Sequence, residues 1–315
     1  MSAFAVLEPG PLTTVQDLGR TGYLRYGIPP SGPVDRSAFI LANRLVGNPD
    51  TAAALECTVS GPRLEARGEC LIAITGAEMP LTVNGREAPR WAAIRLKAGD
   101  VAKLGPARGG VRAYLAVSGG IDLPPVLGSR ATYVRGQLGG LEGRPLRKGD
   151  LLPLGPPALS PEAAGERRVK SELIPSYMEE REIRVILGPQ ADRFTDEGIQ
   201  ALLQASYEMR PQMDRMGARL TGPPITHVRG HDIISDGIPL GGIQVVGGGQ
   251  PIILLVDRQS TGGYTKVATV CSVDIGAVGQ VKPGQRLRFR SVPVAEAHAA
   301  LGAERDRLAK GVSSP

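Results

Sequence analysis

Residues 251–264 of the chain read Pro-Ile-Ile-Leu-Leu-Val-Asp-Arg-Gln-Ser-Thr-Gly-Gly-Tyr. An apolar run followed by a polar cluster and two glycines predicts a buried strand that delivers polar side chains at its end. Gly262 and Gly263 would let the backbone approach a ligand closely or adopt positive φ angles. The stretch predicts a substrate-binding loop, although an ordinary glycine turn, with Asp257 and Thr261 bonding its own amides, explains it equally well.

The rest of the chain is dominated by short strand patterns. Glycine and proline, 42 and 27 of the 315 residues, interrupt helical periodicity throughout. Strands are expected at 71–74, 81–83, 93–96, 111–117, 183–187 and 267–270. Helices are expected at 37–45, 192–207 and 294–310. Together with a tight-hairpin signal at Asn84-Gly85, these patterns predict a mainly β protein with a few short helices.

One turn pattern occurs three times, at 96–104, 146–154 and 281–289. Each copy places a basic residue before Gly-Asp or Gly-Gln, and alternating apolar residues follow. The irregular spacing excludes a solenoid repeat, so we interpret the copies as strands entering two β-barrel-like units. The expected organisation is an N-terminal β subdomain at 1–157, a linker at 158–177, a C-terminal barrel at 178–292, and a terminal helix and tail at 293–315.

Composition restricts the class of protein. The net charge of +6 comes from scattered arginines and aromatics make up 4% of the chain, which disfavours a nucleic-acid binder. The chain has no run near the ~20 apolar residues that a membrane span needs and no signal peptide at its start, so a cytoplasmic location is expected. Cys57, Cys70 and Cys271 lie far apart, which disfavours a zinc site or a disulfide framework and predicts buried free thiols.

A polar cluster near the N-terminus could form part of a ligand site. Residues 13–23 lead into a second irregular stretch at 27–35. The two stretches present five polar side chains beside glycines: Gln16, Asp17, Arg20, Ser31 and Asp35. Amides and carboxylates of this kind could hold a planar amide while Arg20 binds an anion. Ordinary turn chemistry explains the cluster equally well.

A second pairing of carboxylate and guanidinium occurs at Asp214-Arg215, again beside a glycine. A surface ion pair is the simpler interpretation of this pair alone. Because both clusters combine the same groups, we expect Asp17, Arg20, Asp214 and Arg215 to share one cleft. His227 and His231 are four residues apart but lie among prolines and glycines and lack a third ligand, so no metal site is predicted.

Several short motifs follow one another along the chain. They are 14–23 (TVQDLGRTGY), 48–49 (NP), 55–56 (LE), 61–62 (GP), 118–121 (SGGI), 138–140 (LGG), 143–146 (GRPL), 188–190 (GPQ), 214–217 (DRMG) and 261–264 (TGGY). In this order they resemble the allophanate hydrolase subunit 2 family over about residues 4–290. That family includes the C subunit of the bacterial ATP-dependent 5-oxoprolinase and the matching half of the biotin-dependent carboxyltransferase domain of urea carboxylase.

The resemblance implies a fold and a complex. It implies cyclophilin-like β-barrel subdomains and an obligate partner, the B subunit of 5-oxoprolinase, with which the chain would share a cleft. The A subunit would complete a heteromeric hydrolase that uses ATP to open a small amide substrate, 5-oxo-L-proline, to L-glutamate. The isolated chain is therefore expected to be inactive.

The resemblance also implies roles for residues at matching positions. The expected catalytic residues are Asp17, Arg20, Asp214, Arg215 and Arg258. Their arginines would stabilise phosphoryl charge, and carboxylates, with Asp35 among them, would position water or accept an amide proton. The expected substrate-binding residues are Gln16, Ser31, Asp35, Gln190, Thr261, Gly262, Gly263 and Tyr264.

Two other functions remain open. Carboxyl transfer from carboxybiotin to urea or a similar amide would need a biotin carrier and a carboxylase from other polypeptides, because this chain has no Met-Lys-Met biotinylation motif. Some relatives are described as antagonists of a histidine-kinase inhibitor, which would make the chain a binding protein without enzymatic activity.

Overall fold

The computed structural model describes residues 2–159, 167–177 and 180–313. In this part of the chain the strands are β1 Ala3–Glu8, β2 Leu12–Gln16, β3 Ala54–Thr58, β4 Arg63–Ala66, β5 Cys70–Gly76, β6 Leu81–Val83, β7 Arg86–Ala88, β8 Ala93–Leu96, β9 Val101–Leu104, β10 Arg112–Val117, β11 Leu151–Pro153, β12 Arg168–Val169, β13 Arg181–Leu187, β14 Ser206–Met213, β15 Gly217–Thr221, β16 Asp232–Gly237, β17 Gly242–Val245, β18 Pro251–Leu254, β19 Thr261–Tyr264, β20 Lys266–Val270, β21 Arg286–Ser291 and β22 Val312–Ser313. The helices are α1 Arg36–Leu45, α2 Asp196–Gln204, α3 Ile275–Gln280 and α4 Val294–Ala309. The predicted mainly β fold with short helices is confirmed.

The chain forms two compact units. The N-terminal unit contains Met1–Arg20, Ser31–Tyr177 and Asp306–Pro315, and the C-terminal unit contains Thr21–Pro30 and Met178–Arg305. Residues 160–166 of the predicted linker lie outside the described residues. Its described part includes β12, which pairs with β22. That 158–177 acts as a linker stays a prediction.

The N-terminal unit is built from two antiparallel sheets. In the described residues their strand orders are β11-β1-β4-β9-β6-β7 and β2-β3-β10-β5-β8. β5 and β10 are buried along their whole length because successive side chains point to opposite faces, and both faces are covered. Ile72 and Leu115 pack in the core with residues of the other sheet. Tyr114 packs against α1, whose first turn is capped by Asp35.

The repeated turn predicted from the sequence is confirmed in all three places. In each copy the side chain that follows the glycine accepts a hydrogen bond from a backbone amide three residues earlier: Lys97 to Asp100, Arg147 to Asp150 and Lys282 to Gln285. The intervening glycines, at 99, 149 and 284, have φ values of 88°, 91° and 85°, which glycine adopts without steric cost. The three turns lead into β9, β11 and β21.

The C-terminal unit contains a closed barrel. In the described residues its strand order is β13-β20-β17-β18-β15-β14-β21. β16 and β19 form a separate two-stranded sheet, called here the arm. The arm corrects one expectation, because Thr261–Tyr264 is a strand and not a loop. Gly262 and Gly263 are absent from the residues with positive φ, so the glycines serve close approach and not a turn.

Burial explains the chemistry of the cysteines. Cys57, Cys70 and Cys271 are buried free thiols, as predicted. Burial raises the pKa of Cys57 and of Cys70 to about 12, so these thiols are poor nucleophiles near neutral pH. None of the described helices has both the length and the apolar character that a membrane crossing requires.

Candidate functional site

Gln16 lies at the end of β2 and is fully buried. Its Nε2 donates to Thr14 Oγ1 at 3.0 Å and to the Thr132 carbonyl at 3.1 Å. Its Oε1 accepts from the Gly32 amide at 3.1 Å. A side-chain amide with these bonds holds segments of the N-terminal unit together, since the bonds to Thr132 and Gly32 join β2 to two other parts of the chain. Contact of Gln16 with substrate stays a prediction that this geometry does not favour.

Asp17 joins the same region to a second loop. Its Oδ1 accepts from the Gly19 amide at 2.9 Å and from the Ser129 hydroxyl at 2.5 Å, and its Oδ2 accepts from the Arg130 amide at 2.5 Å. A carboxylate that accepts several hydrogen bonds, two of them from residues more than 100 positions away, is a loop anchor. The geometry gives Asp17 a structural role, and its predicted catalytic role is untested.

Arg20 is also part of this region and is only 2% exposed. Its Nη2 donates to the Ala131 carbonyl. A Cβ on Gly139, whose φ is 67°, would lie 2.7 Å from Arg20 Nη2 and 2.1 Å from the Ala131 carbonyl oxygen. Only glycine leaves room for the guanidinium here, which explains the need for Gly139 in the 138–140 motif.

Ser31 and Asp35 lie in the irregular segment that precedes α1. Ser31 has a φ of 56°, and within the described residues its buried Oγ has no hydrogen-bond partner. Asp35 Oδ1 accepts from the Ala38 amide at 3.1 Å as the N-cap of α1. The structure thus shows no internal partner for the Ser31 hydroxyl among the described residues, and its contact with substrate stays a prediction, whereas the Asp35 carboxylate stabilises a helix end.

The sequence analysis missed a buried group that supports the segment before α1. Glu56 is 1% exposed, and its Oε2 accepts from the Val34 amide at 2.9 Å and from the Tyr114 hydroxyl at 2.8 Å. Tyr114 in turn accepts from the Asp35 amide at 2.7 Å. Burial, with the charge of Glu56, raises the pKa of Tyr114 well above its ordinary value. The sequence feature that could have revealed this buried contact is a glutamate and a tyrosine within apolar strand patterns.

The two residues of the predicted pair Asp214-Arg215 differ in exposure. Asp214 is exposed, and its Oδ1 accepts from the amides of Met216 and Gly217 at 2.7 and 3.0 Å. This is the local bonding by which aspartate stabilises turns. Arg215 is instead buried, at 5% exposure, so it is not the solvated partner that a surface ion pair would have.

The partner of Arg215 is Asp257. Arg215 Nε donates to Asp257 Oδ2 at 2.8 Å and Nη2 donates to Oδ1 at 3.2 Å. The two side chains are 6% and 8% exposed, and the Asp257 amide donates to the Arg215 carbonyl at 2.8 Å. This bidentate ion pair fixes the turn after β18 to the turn before β15. Asp257 thus has a structural role that the opening stretch did not distinguish from a ligand contact.

Arg258, the next residue, has a different environment. It is 5% exposed, and its Nε and Nη1 donate to the carbonyls of Ile238 and Leu255 at 2.9 and 3.4 Å. No carboxylate among the described residues pairs with it. Burial lowers the pKa of Arg258, because no nearby anion compensates the loss of hydration. A buried guanidinium bonded to neutral carbonyls is suited to receive an anion.

Three further polar residues lie beside the arm, and two of them were not predicted. Lys266 is 3% exposed, and its Nζ lies 3.3 Å from Oδ2 of Asp236 on β16. Gln190 Oε1 accepts from the Lys266 amide at 3.2 Å, which places the predicted Gln190 at this site. Gln244 is 2% exposed and faces Lys266 across β17 and β20. Lys266 was missed because it is the first residue of an apolar strand, and the predicted strand started one residue later.

The arm also carries aromatic contacts. Tyr264 is 40% exposed and stacks on His231, with ring centroids 5.8 Å apart. His227 Nε2 lies 2.9 Å from Thr265 Oγ1, and its ring packs on Phe194. Burial, and then the charge of His231, lowers the pKa of His227. Across the described residues, no group of three or more His, Cys, Asp or Glu side chains is arranged to hold a metal ion.

The predicted residues fall into two groups. Asp17 and Arg20 belong to the N-terminal unit, and Asp214 and Arg215 belong to the C-terminal unit. That these four share one cleft stays a prediction. Within the C-terminal unit, Gln190 and Gly262 lie beside the newly identified Lys266 and Gln244.

Comparison with known proteins agrees with this architecture. A family model described as the carboxyltransferase domain, subdomain A and B, matches residues 26–291. Urea amidolyase from Lachancea kluyveri is 38% identical over 314 residues, which cover 93% of this chain and 17% of that protein. The C subunit of 5-oxoprolinase from Escherichia coli K12 is 36% identical over 294 residues, which cover 93% of this chain and 92% of that protein.

A solved structure is similar over nearly the whole chain. The urea amidolyase of K. lactis superposes with a TM-score of 0.92 at 34% identity, covering 97% of this chain and 20% of that one. The chain therefore spans about a fifth or less of the urea amidolyases it matches. The resemblance predicted from the ordered motifs is confirmed: the chain belongs to the carboxyltransferase domain family, subdomain A and B.

Proposed function

We propose that this chain is the C subunit of an ATP-dependent 5-oxoprolinase complex, which opens 5-oxo-L-proline to L-glutamate. The observation that carries the proposal is Arg258, a buried cation whose observed partners are neutral carbonyls. Burying a charge without a counter-ion is costly. The cost is offset when an anionic group binds, so the position of Arg258 favours an anionic substrate or intermediate.

The chemistry needs such a group because a lactam is a poor electrophile. Transfer of the ATP γ-phosphoryl group to the lactam oxygen would make the ring carbon electrophilic, and water would add there. The C–N bond then breaks, the nitrogen takes a proton, and a second water releases phosphate from the resulting acyl phosphate. Arg258 would stabilise the negative charge on the transferred phosphoryl group or on the oxygen of the tetrahedral intermediate.

The relatives support this assignment over a self-sufficient enzyme. The two proteins named as the C subunit of 5-oxoprolinase, from Escherichia coli and Haemophilus influenzae, align over 92% of their own length. Their name describes one part of a larger enzyme. We therefore propose that the A and B subunits are the partners and that ATP is bound by the complex.

Reconstitution tests the proposal. The purified chain should form no glutamate from 5-oxo-L-proline and ATP, whereas the chain with the A and B subunits should form glutamate, ADP and phosphate in equal amounts. A mixture of the A and B subunits without the chain is the control. Rapid ATP-dependent turnover by the chain alone, or full activity of that control mixture, would refute the proposal.

Carboxyl transfer is the second candidate, favoured by the description of the matching family and by the similarity to urea amidolyase. Under this proposal the chain would move a carboxyl group from carboxybiotin to urea or a similar amide. Co-purification with a biotinylated carrier, and carboxylation of urea in its presence, would favour this candidate. Binding of a kinase inhibitor without either activity would favour the regulatory function.

A further inference from the structure

Two buried nitrogen donors lie opposite each other on neighbouring strands of the barrel. Gln244 on β17 and Lys266 on β20 are register partners in an antiparallel pair, so their side chains lie on the same face of the sheet. They are 2% and 3% exposed. A charged amine and a side-chain amide in such a position need acceptors to offset their desolvation.

Those acceptors are few within the described residues. Gln244 Nε2 has no hydrogen-bond partner there. Lys266 Nζ has one ion-pair partner in this part of the chain, Asp236 Oδ2, at 3.3 Å. The Asp236 side chain is 56% exposed and lies on β16 of the arm. The site therefore holds a buried cation and a buried amide donor, while its carboxylate reaches in from an exposed strand.

The arm brings these groups together through Gly262. A Cβ on Gly262 would lie 3.1 Å from Gln244 Nε2 and 2.7 Å from Ile238 Cδ1. Gly262 is also the register partner of Asp236 across the arm. Arg258 donates to the carbonyl of the same Ile238 at 2.9 Å. Gln244 and Arg258 are thus both linked to the segment around Ile238, which follows β16 of the arm.

We propose that Gln244 and Lys266 form the subsite that binds the carboxylate of a small substrate. Asp236 pairs with Lys266 until the substrate carboxylate replaces it. A carboxylate has two acceptor oxygens, which match one bond to Lys266 Nζ and one to Gln244 Nε2. The inference rests on the proposed function in assigning the carboxylate to 5-oxo-L-proline. It selects substrates with a carboxylate over neutral amides such as urea.

Calorimetric titration of the full chain tests the subsite without catalysis. Three ligands separate the groups involved: 5-oxo-L-proline, cyclopentanecarboxylate, which lacks the lactam, and 2-pyrrolidinone, which lacks the carboxylate. We expect both carboxylates to bind and 2-pyrrolidinone to bind at least tenfold more weakly. Equal affinity for 2-pyrrolidinone and 5-oxo-L-proline, or no binding of either carboxylate, would overturn the proposal.

Variants assign the binding to the named residues. Lys266→Met should weaken both carboxylates at least tenfold, and the matched control Lys148→Met, at an exposed lysine, should leave them unchanged. Asp236→Asn, at an exposed position, should strengthen carboxylate binding about threefold because the competing internal carboxylate is gone. Unchanged binding in Lys266→Met, or weaker binding in Asp236→Asn, contradicts the subsite, and melting curves verify that each variant is folded.

Failure of the carboxylate subsite can be distinguished from failure of the proposed 5-oxoprolinase function. Binding of both carboxylates by the chain, without lactam opening in the reconstituted complex, would leave the subsite intact and refute the 5-oxoprolinase assignment. Normal glutamate formation with an unchanged KM for 5-oxo-L-proline in Lys266→Met would support the 5-oxoprolinase assignment and refute the subsite.

Discussion

Polar side chains of the two units differ in how fully their own fold bonds them, although the Ser31 hydroxyl of the N-terminal unit also has no partner among the described residues. In the N-terminal unit, Gln16 and Asp17 each accept or donate bonds to segments of their own fold. In the C-terminal unit, Arg258 and Lys266 are buried, yet their observed partners are neutral carbonyls and one exposed carboxylate. Polar groups whose hydrogen bonds are satisfied within the chain stabilise a fold, whereas polar groups with unsatisfied hydrogen-bonding capacity are available to a ligand.

The difference shows why residue type alone does not identify a site. Arginine and aspartate beside glycine occur in both units, and the motifs that suggested ligand binding contain them. What separates the units is the number of internal acceptors and donors that reach each side chain, a property set by segments distant in sequence. Variants of Gln16 and Asp17 should therefore change stability first, and variants of Arg258 should change activity first.

The largest stability effect is expected for the ion pair between Arg215 and Asp257. Arg215→Met would leave Asp257 buried without its bidentate partner, at a cost of about 3–5 kcal/mol in the free energy of unfolding. Urea unfolding of the purified chain measures this cost. The double variant Arg215→Met/Asp257→Leu should recover most of the loss, because no uncompensated charge remains. A single variant as stable as the wild type would show that the pair is not structural.

Arg258→Met should lower the activity of the reconstituted complex and leave the fold intact. Loss of one preorganised donor to a developing charge costs about 2.7–4 kcal/mol of transition-state stabilisation, or roughly 100- to 1000-fold in kcat. Steady-state kinetics with a melting curve measures both properties. Arg219→Met, at an exposed arginine on β15, is the matched control. Wild-type turnover in Arg258→Met would remove this residue from the site.

Asp17→Asn should destabilise the N-terminal unit by about 1–3 kcal/mol. The asparagine nitrogen is a donor and would face the amide donor of Arg130, from which Asp17 Oδ2 now accepts. Urea unfolding and hydrogen exchange at Arg130 measure the effect. A fully stable Asp17→Asn variant would contradict the anchoring role and favour the catalytic role predicted from the sequence.

Asp35→Ala removes the N-cap of α1 and should cost about 0.5–2 kcal/mol, measured by urea unfolding. Asp35→Ser, which can still accept from the Ala38 amide, should recover most of the loss. If serine behaves like alanine and activity falls while stability does not, Asp35 contacts the substrate instead.

The smallest effect concerns pH. The pKa of His227 lies below its ordinary value of 6.5, mainly through burial, so the unfolded chain takes up this proton more readily than the folded one. The stability contributed by His227 is present above pH 6.5 and is lost as the pH falls below that value. His227→Gln should reduce the slope of stability against pH in that window, and His298→Gln, at an exposed histidine, should not.

Much of the fold was predictable because local patterns decide it. The three glycine turns, the cap at Asp35 and the strands at 71–74 and 111–117 follow from turn chemistry and periodicity. The site was less predictable. Pairing of Arg215 with Asp257, 42 positions away, and the burial of Lys266 under the arm depend on tertiary contacts. The Thr261–Tyr264 strand was taken for a loop because its glycines gave a turn signal that the arm overrides.

Activity corrected for the folded fraction compares the two units most directly. Asp17→Asn and Arg258→Met would be assayed in the same reconstituted complex at several temperatures, and the fraction of folded chain would be measured at each. We predict that Asp17→Asn reaches wild-type kcat/KM per folded molecule, whereas Arg258→Met stays about 100-fold or more below it at every temperature. A folded Asp17→Asn variant without activity, beside an Arg258→Met variant with wild-type kcat/KM, would contradict the assignment of the ligand site to the C-terminal unit.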